Sequence, residues 1–146
     1  MQLKLINAVL CSKVIRDAEN NSINLMGVLE NITLAAKEFP ETITIPTSFE
    51  IFTHWMREDI QIPYEGSFRI NYLMPGGESH QLIEMKIDLL THSFHRAIIK
   101  IAGIKLHGPG LYGFQIEQKT DDGYQALYTI PLLVTFSLES PEEIKA

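Results

Sequence analysis

Apolar and polar side chains alternate along most of this chain with a period of two, the signature of half-buried β-strands. The pattern is clearest from Phe68 to Leu89. Phe68, Ile70, Tyr72 and Met74 alternate with Arg69, Asn71 and Leu73; after Pro75-Gly76-Gly77-Glu78, Ile83, Met85, Ile87 and Leu89 alternate with Glu84, Lys86 and Asp88. Two alternating runs around a Gly-rich turn predict a hairpin. A second hairpin is predicted around Thr120-Asp121-Asp122-Gly123. Its last strand runs from Tyr124 to about Phe136, with Ile130, Leu132, Val134 and Phe136 on one face. Pro131 lacks an N–H for the ladder, so it belongs at an edge or a bulge.

Four further strands follow from the same pattern: Leu3–Leu10, Asn24–Leu34, Thr47–Met56 and Phe94–Leu106. Gly27 inside the second of these signals a bulge or a close backbone approach. Thr47–Met56 is apolar on both faces, as a central strand is. The intervening segments, Ser12–Ser22, Ala35–Pro46 and Arg57–Pro63, are polar or proline-bearing and read as connections. The total is about eight strands with no convincing long helix, which predicts a β-sandwich or barrel.

The segment Leu106–Glu117 chooses between them. Turn residues pass directly into alternation, and Gly110-x-Tyr112-x-Phe114 has the form of a tyrosine corner, with Phe114 where immunoglobulin domains carry cysteine. There the tyrosine ring packs inward and its hydroxyl bonds back to the incoming loop, here His107 to Pro109. Trp55 takes the part of the core tryptophan on the third strand. Gly110, Tyr112, Phe114 and Trp55 are therefore expected as structural residues of an all-β, immunoglobulin-like antiparallel sandwich. Gly108-Pro109-Gly110-Leu111-Tyr112-Gly113 also matches G-x-G-x-x-G letter for letter. A dinucleotide fingerprint needs a helix N-terminus after it to aim N–H groups at a pyrophosphate, and alternation follows instead.

Composition narrows the functional classes. The 146 residues fit one domain, expected over 1–138, with an acidic, flexible tail over 139–146, of which 141–146 are expected to be dispensable. A net charge of −6 argues against nucleic-acid and anionic-membrane partners. The single cysteine, Cys11, excludes an intrachain disulfide, and the cytoplasm is the default compartment. Ala8-Val9-Leu10-Cys11 is a poor lipoprotein signal, because Leu10 is not small and the apolar segment is short.

Four segments in order carry a resemblance: Ala8-Val9-Leu10-Cys11, Asn24 to Ile32, Gly108-Pro109-Gly110-Leu111-Tyr112, and Ile130-Pro131-Leu132-Leu133-Val134. Together they resemble a family of small, uncharacterised bacterial proteins with an N-terminal Cys-Asp pair, an NLIGVF-like strand and C-terminal GPGEY and PLRV segments. Ser12 stands here where that family has Asp. The resemblance implies a β-sandwich and supplies no activity.

Each residue that could carry chemistry also has an ordinary structural role. Cys11 follows an apolar segment and reads as a small buried hydrophobe rather than a nucleophile. If their stretch is extended, His92 and His95 point to opposite faces and cannot share a metal; only a turn there would allow chelation. His54, His80 and His107 are scattered and read as surface or strand-end residues. Asp17, Asp121 and Asp122 could form a calcium site at loop tips, but Asp-Asp-Gly is also ordinary turn chemistry. Trp55, Tyr64, Tyr72, Tyr124 and Tyr128 could offer sugar rings a stacking surface, although strand aromatics usually fill cores. No catalytic residue, cofactor or metal ligand is expected. The reading that remains is a non-enzymatic module working by protein–protein contact, with a protein partner or as a homodimer. A small-ligand or carbohydrate-binding domain is the alternative.

Overall fold

The computed structural model describes residues 3–138; the tail expected at 139–146 lies outside them. Nine strands are formed: β1 (Leu3–Arg16), β2 (Ile23–Val28), β3 (Asn31–Ala36), β4 (Ile43–Arg57), β5 (Tyr64–Leu73), β6 (Ser79–Leu89), β7 (Phe94–Leu106), β8 (Gly110–Thr120) and β9 (Gly123–Leu138). They make an antiparallel β-sandwich of two sheets, ordered β2-β1-β4-β7 and β3-β9-β8-β5-β6. One pair departs from this pattern, since β3 runs parallel to β9. No helix among the described residues is long and apolar enough to cross a membrane.

The inner faces hold the alternating residues. Phe68, Ile70 and Tyr72 of β5, Tyr112, Phe114 and Ile116 of β8, and Ile130, Leu132 and Val134 of β9 meet Phe49, Ile51 and Trp55 of β4 in one core. Trp55 is wholly buried; its indole N–H donates to Thr53 Oγ1 (3.0 Å) and its ring lies 5.0 Å from Phe68. β4 is a central strand, paired with β1 on one side and β7 on the other.

Three expectations need correction. Asn24–Leu34 is two strands in different sheets. Gly27 has a φ of +65°, and a Cβ there would lie 2.5 Å from Ser12 Oγ. The chain then changes sheets: Leu29 N–H donates to Leu10 of β1, while Glu30 accepts from Leu133 of β9 (both 2.9 Å). The total is thus nine rather than eight. Ser12–Ser22 is not all connection, because β1 continues to Arg16. β4 starts at Ile43, with Pro46 accommodated where the register slips between Ile45 and Ser48.

Pro131 shows how the ladder avoids its missing donor. Leu133 sends its N–H across to Glu30, and residues two apart in a strand point their N–H groups the same way. Pro131 therefore faces the β3 side, where β3 pairs only from Leu133 onward.

The β1–β2 hairpin does not simply extend the first sheet. Val14, Ile23 and Leu25 pack on Val9, Cys11, Phe52 and Ile98, a second, smaller apolar cluster outside the main core. Its turn reaches β7, two strands away, where Arg96 Nη1 donates to the Asn21 carbonyl (2.7 Å). The hairpin thus folds across the outer face of its own sheet and covers Cys11.

Candidate functional site

β6 and β7 end their respective sheets, so among the described residues each leaves one backbone edge unpaired, and both border the same side of the sandwich. At one end Arg57 ties them together. Its guanidinium donates to the carbonyls of Leu89, Leu90 and Ile60, and its own N–H donates to Ser93 in the β6–β7 connection. Toward the other end the strands enclose a cleft of about 390 Å³.

The walls follow from strand parity. Tyr72 on β5 and Phe114 on β8 face inward and stack at 5.3 Å; Met74, Leu82, Ile101 and Ile104 complete an apolar lining. The mouth is polar. Glu78 holds His80 Nε2 at 3.0 Å through one oxygen and lies 3.8 Å from His107 Nδ1 through the other. Lys105 also borders the cleft, and its carbonyl accepts from the Tyr72 hydroxyl (2.7 Å). Burial and the neighbouring Tyr112 raise the Tyr72 pKa, so this hydroxyl remains a donor at physiological pH.

The segment that forms the crossover beside the cleft is held by Tyr112. Its hydroxyl accepts from His107 N–H (2.9 Å) and donates to the Gly108 carbonyl (2.6 Å), the bonding a tyrosine corner uses. Gly110 opens β8 with a φ of +146°, and a Cβ there would meet Pro75 Cγ at 2.7 Å. Phe114 lies two residues after Tyr112, in the core. The G-x-G-x-x-G letters therefore lead into strand β8.

Cys11 is fully buried and its thiol donates to the Glu50 carbonyl over 3.6 Å. Burial, and then the Glu50 carboxylate, push its pKa up, so it stays a thiol at neutral pH. His92 lies in the β6–β7 connection and His95 on β7. Among the described residues, no group of three or more His, Cys, Asp or Glu side chains could hold a metal ion. Trp55 and Tyr72 are core residues and Tyr64 packs, partly buried, against that core; Tyr124 carries the Arg69 guanidinium on its ring at 3.7 Å, and Tyr128 is half exposed. The five aromatics thus do not form one stacking shelf.

Two corrections concern histidine. His80 and His107 are not scattered, since the β5–β6 turn and the β7–β8 crossover bring both to Glu78. His80 and His107 are exposed as expected, whereas His54 is neither fully exposed nor at a strand end. It lies within β4, half buried, opposite Arg96 of β7. The spacing of these residues carried no signal; only strand register brings them to their neighbours.

No family model matches the chain, and no curated protein matches it. Among solved structures, a β-glucosidase from Listeria innocua in complex with glucose is similar at a TM-score of 0.52, and another structure of a β-glucosidase from that organism at 0.51. Each is 8% identical over 94% of this chain. A family 123 glycoside hydrolase from Clostridium perfringens aligns over 97% of the chain at 14% identity, with a TM-score of 0.37. The chain spans only 16% of the length of the β-glucosidases it matches. The likeness is one of fold: a β-sandwich that also occurs as part of a larger chain.

Proposed function

We propose that the protein is a non-enzymatic, immunoglobulin-like binding module, and that it grips an extended segment of a partner protein at the β6–β7 side. The observation that carries this reading is the apolar cleft lying between two free strand edges. An added strand could pair with an edge while one of its alternate side chains fills the cleft, the division of labour in β-augmentation. The edges supply affinity through main-chain bonds; Tyr72, Phe114 and Leu82 select an apolar anchor. Glu78 at the mouth favours a basic neighbour in the bound segment. Its compartment in this reading is the cytoplasm, where the lone buried Cys11 stays reduced.

The volume of the cleft favours one second reading, a small apolar ligand, because such sites commonly span about 300–1,000 Å³. One experiment separates the two. A displayed library of random peptides is panned against the protein and against Leu82→Lys, a change at a partly exposed position. The partner reading expects enriched peptides with an apolar residue flanked by alternating positions, bound by wild type and lost on Leu82→Lys. Enriched peptides that bind both proteins equally, or no enrichment, would remove the partner reading. An apolar small molecule found in the cleft would then support the second.

A further inference from the structure

A second cleft, of about 460 Å³, lies on the opposite side of the first sheet, beneath the turn of the folded-over β1–β2 hairpin. Arg16, Asn21, His54, Phe94 and Arg96 line it. The chain is acidic overall, yet two arginines line this cleft. Among the described residues, no carboxylate pairs with either of them. Arg96 uses Nη1 to hold Asn21, through the backbone carbonyl and more weakly the side chain, which leaves Nη2 and Nε as donors. Asn21 itself has a φ of +57°, an uncommon conformation for a residue with a side chain.

His54 supplies the second, independent observation. Its Nε2 is buried and has no hydrogen-bond partner. Native structures rarely leave a buried polar atom unpaired, so such an atom calls for a missing partner. Its ring packs 5.4 Å from Phe94, which is itself 53% exposed. The cleft thus combines two positive forks, one orphaned ring nitrogen and an exposed aromatic face.

We propose that this cleft binds a small ligand carrying an oxyanion, a phosphoryl or carboxylate group, attached to a planar or apolar body. Arg16 and Arg96 receive the oxyanion, because a guanidinium matches its geometry with paired, charge-assisted hydrogen bonds. After the side chains that cover it shift, His54 Nε2–H donates to a remaining oxygen, and Phe94 packs on the ligand body. The site is separate from the β6–β7 cleft and does not depend on the role assigned there.

The charged groups near His54 are few. Arg96 faces it from β7 and Arg16 from the hairpin; Asp17 turns its carboxylate to the Glu19 N–H, and His95 alternates to the other face of β7. Burial, and then Arg96, hold the His54 pKa below its ordinary value. An anion that neutralises Arg96 and accepts from Nε2 would push it back up.

The test is a titration followed by NMR on the His54 ring, with inorganic phosphate, phenyl phosphate and benzoate as probes at constant ionic strength. At least one probe should give a saturable shift of His54 and raise its pKa. Arg16→Gln, at an exposed position, should weaken that probe about tenfold or more, as the loss of a charge-assisted bond implies. Saturation with the phosphates alone assigns a phosphoryl ligand; saturation with benzoate alone assigns a carboxylate. Drift no larger than sodium chloride produces, or equal affinity in Arg16→Gln, would overturn the proposal.

Discussion

The Tyr112 hydroxyl makes two hydrogen bonds with a segment that crosses between the sheets, one to a donor and one to an acceptor. Tyr112→Phe keeps the ring in the core and strips both partners. Leaving a buried polar group unpaired costs about 1–3 kcal/mol, so the variant should denature at clearly lower urea. Tyr128→Phe, at a half-exposed position, should change stability little by the same assay. A second residue-scale prediction concerns pH. His54 and His95 both have pKa values lowered chiefly by burial. For such a group the unfolded chain takes up its proton first, starting near 6.5. The stability it contributes is therefore complete above that pH and declines as pH falls through the folded value. Denaturation curves collected between neutrality and about pH 5, above most carboxylate titration, should show this decline, and His54→Gln should flatten it. A slope unchanged by His54→Gln would contradict the account.

Among the elements, the β1–β2 hairpin depends most on one backbone position. Gly27 sits at left-handed φ with Ser12 against it. Gly27→Ala should cost about 1–2 kcal/mol, the ordinary penalty of that conformation for a residue with a side chain, read from the denaturation midpoint. Arg96→Gln should release the hairpin turn, seen as faster amide exchange in β2 than in β4. Local alternation made most strands legible, and both hairpin turns around Pro75 and Asp121 lie where turn chemistry placed them. The β2–β3 break was not legible, because Asn24–Leu34 alternates on both sides of the hand-over and only the partners of Leu29 and Glu30 differ. The two clefts were hidden for a related reason. His80 and His107, or His54 and Arg96, become neighbours through long-range register, and no local spacing encodes that. The same holds for Arg16, which reaches the second cleft only because the hairpin folds over.

At the scale of the whole molecule, four of the seven strand pairings join strands that are not consecutive in the chain. β1 must find β4, β3 must find β9, and β5 must find β8. Loop closure has to precede those contacts, so refolding should occur in about milliseconds to seconds, as stopped-flow Trp55 fluorescence would show; a microsecond phase carrying the whole amplitude would contradict it. The hand-over at Leu29–Glu30 has a further consequence. It joins β2 and β3 by a connection too short to open, so one flank of the sandwich is closed by the chain's own continuity. The flank at β6 and β7 has no such seal along the cleft. A strand that docks there finds no matching free flank behind it on which a further copy could dock in the same way. Growth by that route ends after a single addition, and the expected stoichiometry is one guest per protomer rather than a filament.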